Sequence, residues 1–200
     1  MRVAEIMNKD PITIPPKTPV GQALKLMQQH QIRHLPVIEN DVMVGWISAR
    51  TLREVLLASM LEVITVGDVM VQAPISVTAE TSVEEAARLV HEHRIGGLPV
   101  LEGDKLVGVL TVHDLLSAFI IMLGLLRSSS RLDLLIDSKP KTLEKVSRLI
   151  QESGGKIINI ALGPTQEDKR CYFFRLEKCD LDPIIAALKD QGYQVVDFID

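Results

Sequence analysis

Apolar positions over the first 126 residues follow two alternating periods. One helical face is carried by Val20, Ala23, Leu24 and Met27, which are spaced as in an amphipathic helix. Residues 35–38 and 42–47 are short apolar runs separated by a polar turn, as in two paired strands. A short alternating strand at 12–14 and a helix from Leu52 complete the pattern. The predicted order is strand, helix, strand, strand, helix.

This order recurs 63 residues later, and the offset holds without a gap from Val3/Val66 to Leu52/Leu115. Matched pairs include Met7/Met70, Pro36/Pro99, His30/His93 and Gly45/Gly108. A register of this length indicates an internal duplication. Thr18 and Thr81 stand where helix N-caps are expected, and residues 81–84 have the spacing of a capping box.

A third pattern follows a polar linker at residues 127–130. Strands are predicted at 131–137, 156–162, 171–176 and 193–199, with helices at 141–152 and 182–191 and a polar loop at 163–170. This βαββαβ order is ferredoxin-like. We therefore expect an α/β (α+β) protein of three modules, with boundaries at 1–60, 61–127 and 128–200.

Composition narrows the class of protein. Hydrophobic residues make up 46% and charged residues 24%, which is typical of a packed globular protein. A net charge of -4 argues against nonspecific nucleic-acid binding, which needs a dense basic face. The apolar run 115–126 is shorter than the roughly 20 residues of a membrane-spanning helix. Cys171 and Cys179 lack metal-site spacing, so we expect a cytoplasmic protein without a metal.

The most promising candidate chemistry lies at residues 108–115. A short apolar run ends at Thr111, and Asp114 opens the predicted helix that follows. Such a junction exposes backbone N–H groups, Thr111 can bond a phosphate or a backbone group, and a carboxylate can accept hydrogen bonds from a ribose diol. Thr111 and Asp114 also fit a purely structural role, as the cap of that helix.

The proline-marked first strand, the motif at 35–38 and the closure at 108–115 together resemble the CBS domain, as a tandem pair over residues 1–126. The resemblance implies two units packed face to face by pseudo-twofold symmetry. It also implies adenosine-nucleotide binding in clefts between the units, and further dimerisation of the pair.

The resemblance implies two unequal clefts. The residues it assigns to the first are Thr111, Asp114, Thr18, Ala23, Ile32, Arg33, His34, Val109 and His113. Of these, Arg33 suits a phosphate and Val109 faces the base. The second and weaker cleft joins Ser48 and Arg50 to Thr81 and Ile95. There Thr51 replaces the aspartate and Gly96-Gly97 replaces Arg33-His34, and Trp46 either stacks on a base or fills the pocket.

Residues 136–160 resemble ACT domains, which bind small effectors and often pair sheet to sheet. Asp137, Ser138 and Asn159 are the candidate effector positions, but Lys141 stands where many ACT domains have glycine. An assembly role is therefore favoured over effector binding. Two CBS units followed by an ACT-like module resemble the acetoin-utilisation protein AcuB family, which implies regulation of acetoin or acetyl-CoA metabolism.

We expect a regulatory CBS-pair protein that senses AMP, ADP, ATP or S-adenosylmethionine and modulates a partner or its own assembly. It requires no cofactor and forms a homodimer through its CBS and ACT-like modules. The alternative is a dimerising interaction scaffold without a ligand. Paired carboxylates, a Ser/His/Asp set, a Walker-type loop and metal-spaced histidines are not found in the sequence, so an enzyme is not expected.

Overall fold

A computed structural model describes residues 1–58, 64–126, 128–137, 141–166 and 168–200. The chain divides into two compact units, Met1–Ala118 and Phe119–Asp200. The expected module boundary at residues 60–61, residue 127 of the expected linker, and Ser138 lie outside the described residues.

The first unit contains both copies of the repeat. After a 3-10 turn at Val3–Glu5, its elements are α1 (Val20–Gln29), β1 (His34–Glu39), β2 (Val42–Ser48), α2 (Ala49–Ala58), α3 (Val66–Val69), α4 (Val83–His93), β3 (Gly97–Glu102), β4 (Lys105–Thr111) and α5 (Val112–Met122). Helix α5 continues into the second unit. The apolar face of α1 is buried as its spacing predicts, with Val20, Ala23 and Met27 in the core.

Each copy of the repeat forms one antiparallel hairpin, β1–β2 or β3–β4. Both hairpins have an irregularity at the same place, after Val37 in the first and after Val100 in the second. Equivalent hairpins with equivalent irregularities show that the two copies share their local structure as well as their sequence.

The expected first strands are reduced to single parallel bridges, Ile14 to Val37 and Val77 to Val100. Prolines on both sides of residues 12–14 lack the N–H that a longer ladder requires. The expected threonine caps are also wrong by one position. Pro19 precedes α1, and the Ser82 hydroxyl caps α4 by accepting a 3.1 Å hydrogen bond from the Glu85 N–H.

The amino-terminal segment of each copy lies against the hairpin of the other. Asn8 pairs with Val109 of β4, and Val71 pairs with Trp46 of β2. A Cβ atom at Gly108 would collide with Met7, just as one at Gly45 would collide with Met70. This reciprocal exchange gives the unit its pseudo-twofold character, and it explains why both methionines and both glycines recur at the 63-residue offset.

The second unit has the βαββαβ order that the sequence predicts. Its elements are β5 (Ser129–Asp137), α6 (Thr142–Glu152), β6 (Ile157–Gln166), β7 (Lys169–Glu177), α7 (Asp182–Asp190) and β8 (Gln194–Ile199). They form one antiparallel sheet in the order β6-β7-β5-β8. Its core joins alternate strand residues such as Leu132 and Phe174 to Val146 of α6 and Ile184 of α7.

Strands β6 and β7 extend into the segment that the sequence predicts as a polar loop at 163–170. Thr165 pairs with Arg170 in the ladder, and the Arg170 side chain donates a 3.1 Å hydrogen bond to the Thr165 hydroxyl. Cross-strand side-chain bonds of this kind extend a hairpin without apolar residues. None of the helices in the described ranges reaches the length and apolarity needed to cross a bilayer.

Candidate ligand-binding site

A cavity of about 760 Å³ lies in the first unit, where β4 ends and α5 begins. Residues from both copies of the repeat line it, including Asn8, Ile12, Ile32, Arg33 and His34 from the first and Gly96, Val109, Thr111, His113 and Asp114 from the second. Seven residues assigned to the first cleft from the sequence are therefore brought together: Ile32, Arg33, His34, Val109, Thr111, His113 and Asp114.

Thr111 and Asp114 form a cap at the start of α5. The Thr111 N–H and hydroxyl both donate to Oδ2 of Asp114, at 2.8 and 2.7 Å. The Asp114 N–H in turn donates to the Thr111 hydroxyl at 3.4 Å. Within the described residues, Oδ1 of Asp114 accepts no hydrogen bond. The carboxylate therefore keeps one oxygen for a ligand, whereas the Thr111 hydroxyl proton is already used.

Arg33 supplies the positive charge of the cavity. It lies just before β1, and its carbonyl accepts a 2.8 Å hydrogen bond from the Ala49 N–H at the start of α2. Its side chain is exposed and has no hydrogen-bond or ion-pair partner among the described residues. The guanidinium is thus free to meet an anion on the ligand.

The His34 ring stacks on Trp46, with ring centroids 5.4 Å apart and an interplanar angle of 19°. Burial, and secondarily the positive charge of Arg33, lower the pKa of His34 below its ordinary value of 6.5. The ring is therefore neutral at pH 7, with one nitrogen as donor and the other as acceptor.

The apolar wall of the cavity includes Ile12, Ile32 and Val109. Val109 is held in place by Asn8, because the two residues exchange both backbone hydrogen bonds at 2.9 Å. An apolar lining beside a carboxylate and a guanidinium has the mix of groups typical of small-molecule sites.

Two residues assigned to this cleft from the sequence do not line the cavity. Ala23 is fully buried in the hydrophobic core, so its expected contact with a ligand has no support in this structure. Thr18 helps to join the two copies instead, because its carbonyl accepts a 2.8 Å hydrogen bond from the Val66 N–H. Conversely, the sequence reasoning did not include Asn8, Pro11, Ile12, Gln31 and Gly96 in this cleft.

The second expected cleft is built differently. The Ser48 and Thr51 hydroxyls are 3.0 Å apart and bond to each other, with no carboxylate in this pair. Trp46 occupies the place equivalent to Val109 and is 7% exposed. A Cβ at Gly96 would lie 2.8 Å from Cε1 of His34, so the glycine makes room for the imidazole. Trp46 is thus a buried aromatic ring that stacks on His34.

The other residues assigned to the second cleft each have contacts of their own. Arg50 forms an exposed pair with Glu54 at 2.9 Å. Thr81 lines a separate cavity of about 310 Å³, together with Thr78 and Glu85. The Ile95 N–H donates to the Val90 carbonyl at the end of α4.

Comparison with known proteins identifies the first unit. The CBS domain family matches residues 3–58 and 66–121, together more than half of the chain. An inosine-5'-monophosphate dehydrogenase from Thermoplasma acidophilum is 34% identical over 117 residues, which cover 58% of this chain and 23% of that enzyme. CBS domain-containing protein YhcV from Bacillus subtilis is 30% identical over 56% of this chain and 81% of its own length.

Solved structures give the same result. CBSX2 in complex with AMP is 32% identical with a TM-score of 0.54, covering 60% of this chain and 96% of that one. A Vibrio cholerae protein named as an acetoin utilization protein (AcuB) is 31% identical with a TM-score of 0.57, covering 62% and 94%. The CBS domain pair of protein MJ0100, in complex with 5'-methylthioadenosine and S-adenosyl-L-methionine, is 26% identical with a TM-score of 0.55, covering 60% and 95%.

The chain spans less than a quarter of the dehydrogenases that it matches, and the match is to their CBS region. The matched residues, the repeated hairpins and the reciprocal packing of the two copies all agree. This chain belongs to the CBS domain family and carries a tandem pair of CBS domains.

Proposed function

We propose that the cavity at the start of α5 binds an adenine nucleotide or a related adenosine compound, and that this binding regulates a partner or the assembly of the protein. The observation that carries the proposal is the Asp114 carboxylate, which lines the cavity together with Arg33 and whose Oδ1 accepts no hydrogen bond among the described residues. The ligands of CBSX2 and of the MJ0100 pair support it, since all of them contain adenosine.

Each part of an adenosine nucleotide has a complementary group in the cavity. The ribose hydroxyls donate to Oδ1 of Asp114, and each such charge-assisted bond contributes about 1.5–3 kcal/mol. The 5'-phosphate pairs with the Arg33 guanidinium, whose forked donors match phosphate oxygens. The purine lies on the apolar wall that includes Ile32 and Val109. The volume of about 760 Å³ falls within the range of about 300–1,000 Å³ for small-molecule pockets.

Regulation follows from where the ligand contacts lie. Arg33 and His34 belong to the first CBS domain, whereas Thr111 and Asp114 belong to the second. A nucleotide that bonds to both domains stabilises the arrangement in which they are correctly spaced. It changes partner affinity only if it binds two arrangements with different affinity, because equal binding shifts no equilibrium.

We further propose the module boundaries 1–60, 61–127 and 128–200, with the last module ACT-like and serving assembly as a homodimer in the cytoplasm. The βαββαβ order supports the ACT-like assignment. The similarity of the chain to the Vibrio cholerae AcuB protein supports a role in acetoin or acetyl-CoA metabolism.

A second candidate function is a ligand-free interaction scaffold. It is favoured by exposed apolar side chains of α5, among them Val112 at 46% and Leu116 at 54%, which are four residues apart and share one face of the helix. A surface with several such residues on one helix is typical of protein–protein contacts.

Calorimetric titration with AMP, 2',3'-dideoxy-AMP, ATP and S-adenosylmethionine distinguishes the two functions. The nucleotide proposal predicts that AMP or a related adenosine compound binds, and that the dideoxy analogue binds at least roughly tenfold more weakly. The absence of binding by every compound contradicts nucleotide sensing and favours the scaffold. Equal affinity for AMP and its dideoxy analogue contradicts the role of Asp114.

A further inference from the structure

The sheet of the second unit has one face covered by helices and one face that carries charged and aromatic side chains. Leu132, Leu134 and Phe174 point into the core with α6 and α7. Because side chains alternate along a strand, Arg131 of β5 lies on the opposite face, together with Phe173 and Arg175 of β7. We call this opposite side the open face.

Two arginines are direct neighbours on the open face. Arg131 of β5 lies opposite Arg175 of β7, and Arg175 lies opposite Asn159 of β6. A row of three donor side chains therefore crosses three strands. Like charges directly opposite each other in a sheet are destabilising unless counterions neutralise them.

The two guanidiniums differ in how far their charge is neutralised. Arg131 donates from Nε and Nη2 to both oxygens of the buried Asp133, at 2.9 and 2.8 Å, and also reaches Asp197 at 3.4 Å. Arg175 donates from Nη1 to the Ser129 hydroxyl at 2.7 Å. It has no carboxylate partner among the described residues. One positive charge in the row is therefore left without a counterion.

These donors line a cavity of about 210 Å³, which is smaller than the pockets that hold drug-sized ligands. The apolar part of its lining comes from Leu123, Leu125, Ala161 and Phe173. The Arg131 guanidinium carbon lies 5.8 Å from the centroid of the Phe173 ring, within the range of a cation–π contact. None of the seven described residues that line the cavity is acidic, so it offers no partner for an ammonium group.

We propose that this cavity binds a small monocarboxylate with an apolar body. The carboxylate pairs with the free donors of Arg175 and with the second N–H of the Asn159 amide, whose other N–H donates to the Met122 carbonyl at 3.4 Å. The apolar body lies against Phe173 and the two leucines. Because no acidic side chain of the described residues lines the cavity, the site prefers a simple carboxylate to an amino acid of the same size. The inference does not depend on nucleotide binding in the first unit.

The test uses the full chain and four probes: phenylacetate, its uncharged analogue phenylacetamide, phenylalanine and inorganic phosphate. Binding is measured by calorimetry and by NMR shifts of the Asn159 side-chain amide. Arg175→Gln removes the proposed anchor. Arg170→Gln is the matched control, because Arg170 is also on β7 and also donates to a hydroxyl, that of Thr165, but does not line the cavity.

The proposal predicts that phenylacetate binds the wild type and Arg170→Gln equally, and at least roughly tenfold more weakly to Arg175→Gln. Phenylacetamide, phenylalanine and phosphate bind the wild type more weakly than phenylacetate. Equal binding of phenylacetate and phenylacetamide to the wild type overturns the proposal. This comparison does not depend on whether Arg175→Gln folds. Failure of phenylacetate to bind, equal binding to wild type and Arg175→Gln, or a preference for phosphate overturns it as well.

Discussion

The Thr111 hydroxyl donates a 2.7 Å hydrogen bond to Oδ2 of Asp114 and leaves Oδ1 of the same carboxylate without a partner among the described residues. One oxygen therefore caps α5, and the other is left for a ligand in the cavity that Asp114 lines. Helix capping and ligand binding, which the sequence presents as alternatives for this motif, are compatible in one side chain. Capping holds the carboxylate in a fixed orientation before any ligand arrives, which lowers the entropic cost of binding.

Replacing Arg33 is predicted to weaken binding of AMP but not of adenosine. Arg33→Gln removes a guanidinium that has no other partner among the described residues, so the loss falls on the phosphate contact, about 1.5–3 kcal/mol. Arg50→Gln is the control, because Arg50 is exposed and paired with Glu54. Calorimetry with both ligands on both variants checks the prediction. An equal loss for AMP and adenosine in Arg33→Gln contradicts the assignment of Arg33 to the phosphate.

The stability of the protein is predicted to fall as the pH drops below about 6.5, in part because of His34. Burial and the charge of Arg33 hold its pKa below the ordinary value of 6.5. Between these two pKa values the unfolded chain binds a proton that the folded chain does not, so acid favours unfolding. Above pH 6.5 both states are neutral at this position and no stability is lost.

Thermal unfolding of wild type and His34→Gln at pH 7.5 and 5.5 measures this effect. Between pH 7.5 and pH 5.5 the melting temperature of the wild type is predicted to fall further than that of the variant. His93→Gln is the control, because His93 is exposed at the end of α4. The same pH dependence in wild type and His34→Gln refutes the role of His34.

Alanine at position 96 is predicted to destabilise the protein through His34. The added Cβ would lie 2.8 Å from Cε1 of a ring that is stacked on Trp46, and overpacking of this kind costs about 1–3 kcal/mol. The cost is predicted to fall sharply in a His34→Ala background, where the ring is gone. Denaturant unfolding of both single variants and the double variant gives the coupling energy. Additive effects contradict the contact.

Sequence periodicity predicted most of the elements because the 63-residue repeat tests each assignment twice. The resemblance to CBS domains, and not the periodicity, implied that Arg33 and Asp114 share a cleft, and these residues from different copies line one cavity. Ala23 shows the limit of this reasoning. Its helical spacing identified the buried face of α1 correctly, but a residue that packs in the core has no surface left for a ligand.

The periodicity of apolar positions could not predict the reciprocal exchange of amino-terminal segments. Asn8 pairs with Val109 because residues far apart in the sequence meet, and periodicity describes only local structure. Periodicity also could not predict that the His34 ring stacks on Trp46, a residue expected in the second cleft. The neighbouring arginines of the open face were missed because their register depends on which strands pair, β5 with β7.

Comparison of Asp114→Asn with Asp68→Asn tests nucleotide binding most directly. Asp68 accepts from the Thr65 N–H and hydroxyl at 2.8 and 2.6 Å, which is the same capping arrangement three residues apart, but it does not line the cavity. Both variants lose a carboxylate cap, so thermal unfolding controls for the structural effect. In calorimetric titration with AMP, the account predicts affinity reduced about 10- to 150-fold in Asp114→Asn and unchanged in Asp68→Asn. Equal AMP affinity in the wild type and Asp114→Asn would contradict it.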